Sequence, residues 1–363
     1  MSTIKVNTID NEGGAVDFPN KLTVRGNAIE RTYTSSSTEP SSPSNGDFWY
    51  DTGNSVLKHY INSEFKTISF VPPATWYGSR GLHVGGLSSN AIDYFDITSS
   101  GNASDFGDLT SSRRTAGAVS NTTYGVFAGG YTNTHVNTID YVTIATTGDA
   151  ADFGDMTAAT RDHMAVSNGS RACFGGGYDG DTTNKIEYIT LGVTSGSGTD
   201  FGDLTVARKD NEGGMNDATR GIFPASSSGV DTLDYITIST LGNATDFGDD
   251  DNSGSRGSAC ADLTRGVMSG GSVGTMQNVI RYITIQTTGN STDFGDLTVS
   301  RYQHASTSDA TYAVFAGGFD LYNAINVIDR VTVQTTGNAT DHGDLNKGSN
   351  APRMGTATSG SAS

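Results

Sequence analysis

Short stretches in which apolar and polar side chains alternate recur along most of the chain, as in Ile139-Asp140-Tyr141-Val142-Thr143-Ile144 and Leu233-Asp234-Tyr235-Ile236-Thr237-Ile238. A period of two with β-branched residues predicts strands that bury one face. A second kind of stretch is an apolar run ending in paired glycines, as in Gly125-Val126-Phe127-Ala128-Gly129-Gly130 and Ala313-Val314-Phe315-Ala316-Gly317-Gly318. A third opens on an arginine with a small residue four positions later, as in Arg161 with Ala165 and Arg301 with Ala305. The fourth carries the phrase Asp-Phe-Gly-Asp-Leu or a close variant.

These four stretches repeat in a fixed order. The first aspartate of the phrase falls at Asp105, Asp152, Asp200, Asp246, Asp293 and Asp341, spacings of 46 to 48 residues. A period in this range marks stacked supersecondary units. Four short strands per unit, separated by Gly, Asn, Ser and Thr turns, describe one blade of a β-propeller. The first unit begins at Arg80 without an arginine-led strand, and Arg353-Met354-Gly355-Thr356-Ala357 supplies one at the far end. The expectation is an all-β, six-bladed propeller over residues 80–363, its C-terminal strand completing the first blade.

At this level the repeat resembles the kelch family, which shares the arginine-led strand, the Gly-Gly ending and the Tyr-containing strand. The family's late tryptophan is absent, and Phe106, Phe153, Phe201, Phe247 and Phe294 stand in its place. The resemblance covers residues 80–363 and implies a kelch-like β-propeller.

Composition narrows the function. Length alone allows two or three domains at about 100 to 200 residues each, but the period makes residues 80–363 one domain. The 47 glycines of 363 residues exceed the usual share of roughly 7% and fall largely in turns and paired-glycine strand ends. A net charge of −17 repels phosphates and anionic headgroups, so no nucleic-acid partner is expected. No run approaches the ~18 apolar residues of a membrane span, so no membrane insertion is expected. Cys173 and Cys260 are too few for a disulfide framework or a zinc site.

Residues 1–79 lie outside the period. They divide into a segment 1–33 and a Ser/Pro linker with a β-hairpin over 34–79, the hairpin strands flanking the Asp51-Thr52-Gly53-Asn54 turn. A lone hairpin is too small to be stable and must dock elsewhere. The phrases Ser2-Thr3-Ile4-Lys5-Val6-Asn7-Thr8-Ile9, Val16-Asp17-Phe18-Pro19-Asn20-Lys21-Leu22-Thr23-Val24 and Gly46-Asp47-Phe48-Trp49-Tyr50-Asp51-Thr52 resemble the beginnings of virion proteins of tailed bacteriophages. That resemblance implies attachment to other virion proteins, often as a trimeric homo-oligomer, with a distal domain presented outward on the tail or capsid surface. The implied protein is a tail fibre or adhesin for host-surface recognition; a capsid decoration or head fibre with a protective or spacing role is the alternative.

No enzymatic chemistry emerges. Asp-Phe-Gly lacks the nucleotide loop, strand lysine and His-Arg-Asp loop of kinases. The six histidines are dispersed, and no cofactor or metal is expected. The acidic run Asp246-Phe247-Gly248-Asp249-Asp250-Asp251 reads as solvated turn carboxylates. Arg114, Arg161, Arg208, Arg256, Arg301 and Arg353 are expected to bridge Asp108, Asp155, Asp203, Asp249, Asp296 and Asp344 around the ring. The loops between second and third strands differ from unit to unit. Their residues Tyr131, His135, Tyr178, Asp179, Phe319 and Tyr322 are the candidate contacts for a host cell-surface glycan or protein.

Overall fold

A computed structural model describes residues 22–24, 27–29, 33–54, 56–61, 63–67, 78–84, 89–210, 212–225, 229–250, 255–309, 311–346 and 356–360. Among these there is no helix, and the chain divides into two compact units, Met1–Pro72 and Pro73–Ser363.

In the first unit, Tyr33–Ser36, Phe48–Asp51, Val56–Ile61 and Glu64–Thr67 form one four-stranded sheet in that order. The expected hairpin is its central pair. The first strand, drawn from the stretch read as a spacer, adds in parallel to Phe48–Asp51, so the hairpin gains its own sheet. Trp49 is buried there, edge-on to Phe65 and beneath Lys58 Nζ. Asp51 anchors the turn, accepting from Asn54 Nδ2 and Lys58 Nζ, each at 2.9 Å. The strand expected over residues 4–9 lies outside the described residues.

The second unit repeats one pattern: an antiparallel sheet whose strands follow chain order from inner to outer. Sheet I joins Thr356–Gly360 to Arg80–Val84, Ala91–Asp96 and Ser104–Asp108, so the C-terminal strand completes the first sheet as expected. Sheet II is Gly117–Ser120, Tyr124–Ala128, Thr138–Thr143 and Ala151–Asp155; sheet III is Met164–Ser167, Arg171–Gly175, Lys185–Thr190 and Thr199–Asp203. Sheet IV is Met215–Asn216, Arg220–Phe223, Thr232–Thr237 and Thr245–Asp249. Sheet V is Ser258–Ala261, Arg265–Ser269, Val279–Thr284 and Thr292–Asp296; sheet VI is Ala305–Ser308, Tyr312–Ala316, Val327–Thr332 and Thr340–Asp344. An extra strand, Glu212–Gly213, leaves the run toward sheet IV and pairs in parallel with Ser258–Ala261 of sheet V.

Each sheet is bonded to the next by the Asp-Phe-Gly-Asp phrase. The carbonyl of its second residue accepts from a turn residue of the following sheet: Gly148 on Phe106, Gly196 on Phe153, Gly242 on Phe201, Gly289 on Phe247, Gly337 on Phe294, and Gly101 on His342. The last of these links sheet VI back to sheet I. The phrase glycine has φ between 138° and 151°, and a Cβ there would approach the facing turn carbonyl closer than 3.0 Å. Glycine recurs because two backbones meet at that point. The phenylalanine is buried and packs edge-on to the third-strand tyrosine, as in Phe153 with Tyr141 and Phe201 with Tyr188. At the VI to I junction His342 replaces it, and its Nε2 donates to the Asp96 carbonyl at 2.6 Å.

The aspartates expected to bridge the arginines instead join neighbouring sheets through their main chain. The carbonyls of Asp108, Asp155, Asp203, Asp249, Asp296 and Asp344 accept from the next sheet's Ala150, Gly198, Ala244, Ser291, Ala339 and Ala103 at 2.7 to 2.8 Å. Their side chains sit at outer-strand ends, and no ion pair among the described residues joins them to the predicted arginines. Arg353 lies outside the described residues.

The five described arginines also prove inequivalent. Arg208 and Arg301 are fully buried and pair with Asp234 and Asp329 of the third strand, as Arg113 does with Asp140. Each of these aspartates also accepts from the first threonine after the preceding sheet, Thr110, Thr205 or Thr298. The pair thus clamps the connection between sheets. Sheet V reverses the charges: Arg281 occupies the third-strand position, and its Nε reaches Asp250 at 2.7 Å. Asp250, expected to be solvated, is buried for that reason.

Another arginine set holds the opposite ends of the sheets. Arg80, Arg171, Arg220 and Arg265 stack on Tyr94, Tyr188, Tyr235 and Tyr282 at 4.2 to 4.7 Å. Each donates to a carbonyl of the next sheet, such as Arg171 to Ile238 at 2.9 Å. In sheet VI the two residues trade places as Tyr312 and Arg330, which explains the missing tyrosine there.

Candidate functional site

The connections entering the inner strands of sheets II to VI each turn sharply at one residue. Thr115, Asp162, Asp210, Arg256 and Gln303 hold this position in successive repeats, all with φ between 56° and 67°. Positive φ is costly for a non-glycine residue, most of all for a β-branched threonine. Backbone bonds link them in series: Asp162 N–H donates to Thr115, Arg256 to Asp210, and Gln303 to Arg256. Side chains of four types are thereby placed at one end of the sheets in one backbone conformation, Thr115 beside Asp162, and Arg256 beside Asp210 and Gln303.

Beside this collar runs a ladder of cations and aromatic rings. Arg114 stacks on Tyr131 at 4.8 Å, Arg161 lies 5.1 Å from both Tyr131 and Tyr178, and Lys209 Nζ lies 4.2 Å from Tyr178. His135 packs edge-on to Tyr178 at 5.3 Å, and burial, then Arg161, lower its pKa against the opposing charge of Asp179. The ladder rungs immediately precede collar residues in the chain, so one backbone turn sets both. Arg114 and Arg161 carry bridges to Tyr131 and Tyr178 that fix the loop bases.

Three predicted contacts, Tyr131, His135 and Tyr178, are therefore brought together, with Asp179 at their edge, 3.6 Å from Lys185 Nζ. Phe319 is held elsewhere, against Tyr302 of its own repeat, and Tyr322 stands 82% exposed at the tip of a loop whose N–H groups Asp320 caps. Sheet VI follows V and precedes I, so these two do not join the ladder. Arg114 and Arg161, expected as ring struts, belong to the ladder, and Arg256 belongs to the collar.

The collar's electrostatics are unusual. Asp162 is 2% exposed, and burial pushes its pKa up to about 6 against the pull of Arg161, whose Nη1 is 3.4 Å away. Its Oδ1, Arg161 Nε and the buried Thr115 Oγ1 have no protein hydrogen-bond partner. Arg256 Nε faces Asp210 at 3.8 Å. This end carries fixed planar donors, aromatic faces and polar atoms without protein hydrogen-bond partners. Among the described residues no group of three or more His, Cys, Asp or Glu gathers to hold a metal. Sequence reading missed Thr115, Asp162, Lys209, Asp210 and Gln303. Their signal is that the residue after each ladder cation is polar, Thr115, Asp162 and Asp210.

No family model matches the chain, and no curated protein matches it. The architecture defines it as an all-β protein of repeated four-stranded antiparallel sheets, an arrangement that fits a propeller-like fold.

Proposed function

We propose that the chain is a non-enzymatic virion structural protein of a tailed bacteriophage, a tail fibre or adhesin that presents a six-bladed, kelch-like β-propeller to the host surface. The observation that carries recognition is the inequivalence of side chains at equivalent positions of one end. The phrase glycines, aspartates and third-strand positions are nearly uniform, as assembly requires, whereas Thr115, Asp162, Asp210, Arg256 and Gln303 are drawn from four residue types. A ring that only spaces or protects needs no such differences, whereas a ligand needs distinct, convergent groups. The N-terminal phrases shared with virion proteins support attachment to a particle, and a trimeric homo-oligomer follows from the same resemblance.

Two measurements test this. Antibody labelling of intact particles in the electron microscope places the chain at the tail end for an adhesin, or over the whole capsid for a decoration protein. A variant with Tyr131, Tyr178, Phe319 and Tyr322 all changed to alanine, folded normally, loses binding to host cells; undiminished binding refutes the assignment of this face.

A further inference from the structure

The ladder specifies a ligand charge. The chain carries a net −17, yet Arg114, Arg161 and Lys209 gather at this one end. Asp210 faces Arg256, and Asp179 faces Lys185, so the nearby exposed carboxylates are engaged with other cations. Arg114 forms no ion pair among the described residues, and Arg161 faces only the buried Asp162. Tyrosine faces hold both guanidinium planes in place. A cation held by a ring quadrupole keeps its full positive charge, as Arg114 does here, whereas the charge of Arg161 is partly offset by Asp162. The result is a positive, preorganised fork on an acidic protein.

A guanidinium fork matches a carboxylate in geometry. Tyr131 and Tyr178 offer apolar ring edges. We propose that this end of sheets II to IV binds an acidic saccharide, with the sugar carboxylate on Arg161 and Arg114 and its ring against the edges of Tyr131 and Tyr178. The proposal rests on the reading of this end as the recognition face, and adds the charge class of the ligand.

The test is binding of the full chain to immobilised polygalacturonate, alginate and polysialic acid, with dextran as the neutral control. Saturable binding to at least one acidic polymer, weakened by added salt, and none to dextran is the expected result. Arg161→Gln, and separately the Arg114→Gln, Lys209→Gln double variant, then weaken binding on the order of tenfold or more. The double variant keeps the test valid if Arg161→Gln fails to fold. No binding to any acidic polymer, or binding that neither variant alters, overturns the proposal. Equal binding to dextran, abolished by changing Tyr131 and Tyr178 to alanine, also overturns it while sparing the recognition face. Host-cell binding undiminished in that tyrosine variant removes the face itself.

Discussion

The sharpest test of the architecture is a single methyl group at the junction between sheets VI and I. Gly343 has a φ of 147°, and a Cβ added there overlaps the Gly101 carbonyl oxygen, far inside the 3.4–4 Å of ordinary contact. Gly343→Ala has two costs. Holding an L-residue at that φ costs about 1–3 kcal/mol. Retreat of the Gly101 turn breaks the bonds from Gly101 to His342 and from Ala103 to Asp344, both 2.8 Å, each contributing about 1 kcal/mol. The total is about 3–5 kcal/mol, which lowers the melting temperature on the order of 10 °C for a domain of this size. The matched control is Gly101→Ala, the other side of the same contact. Its Cβ meets nothing within 4 Å and its N–H is kept, so its effect stays within about 0.5 kcal/mol. Urea unfolding, comparing midpoints at constant slope, separates the two. If the two variants have the same midpoint, the outer strand of sheet VI does not bear on sheet I and the closure is wrong. Gly202→Ala, at the III to IV junction, calibrates the scale.

Three further predictions follow from buried charges. Arg208→Met strands Asp234, whose side chain is fully buried, and destabilises by about 3–5 kcal/mol; adding Asp234→Leu restores part of that in a double-mutant cycle read by urea unfolding. His163 is buried without hydrogen-bond partners, and burial pulls its pKa down to about 4, so the unfolded chain takes up a proton that the native one refuses. Its contribution is full above pH 6.5 and lost as pH falls toward 4, about 3 kcal/mol in all; His163→Asn flattens that limb of a stability–pH curve. Asp162 has the opposite sign: its raised pKa means stability is full below 3.8 and lost as pH rises through about 6. Asp162→Asn therefore stabilises at pH 8 by about 3 kcal/mol, with no gain below pH 3.8; no gain at pH 8 would mean the carboxylate is well solvated.

The period, the four strands per repeat and the completing C-terminal strand were legible because hydrophobic alternation and turn residues report local backbone directly. The arginines were not. Arg113, Arg114 and the position of Thr115 are consecutive, and from one repeat to the next the positive charge moves among these three slots. Residue type aligns Arg114 with Arg208 and Arg256, while the backbone assigns one to a ring face, one to a buried carboxylate and one to a residue with positive φ. The ion-pair partners, Asp140, Asp234 and Asp329, lie in the third strand, and only pairing brings them near. The recurrent glycine was visible as a pattern, but its cause is a neighbouring repeat's carbonyl, a contact with no local signature. Tyr131 and Tyr178 were accessible because loop variability is a sequence property; the cations between them were masked by their resemblance to struts.

Nearly identical repeats carry a hazard, since a strand that bonds to one neighbour suits the others almost as well. The excursion of Glu212–Gly213 onto Ser258–Ala261 removes that degeneracy at one junction, because among the described residues only the run between sheets III and IV carries it and only sheet V receives it. The reversed Arg281 and Asp250 pair acts at the same place, since Asp250 opposite an aspartate would repel and Arg281 opposite an apolar residue would lie unpaired. The junction between IV and V is thus a keyed joint that gives the repeats an absolute order. A chain that began to assemble one unit out of step would meet like charges and an unpaired strand there, and would be driven back before the misassembly set.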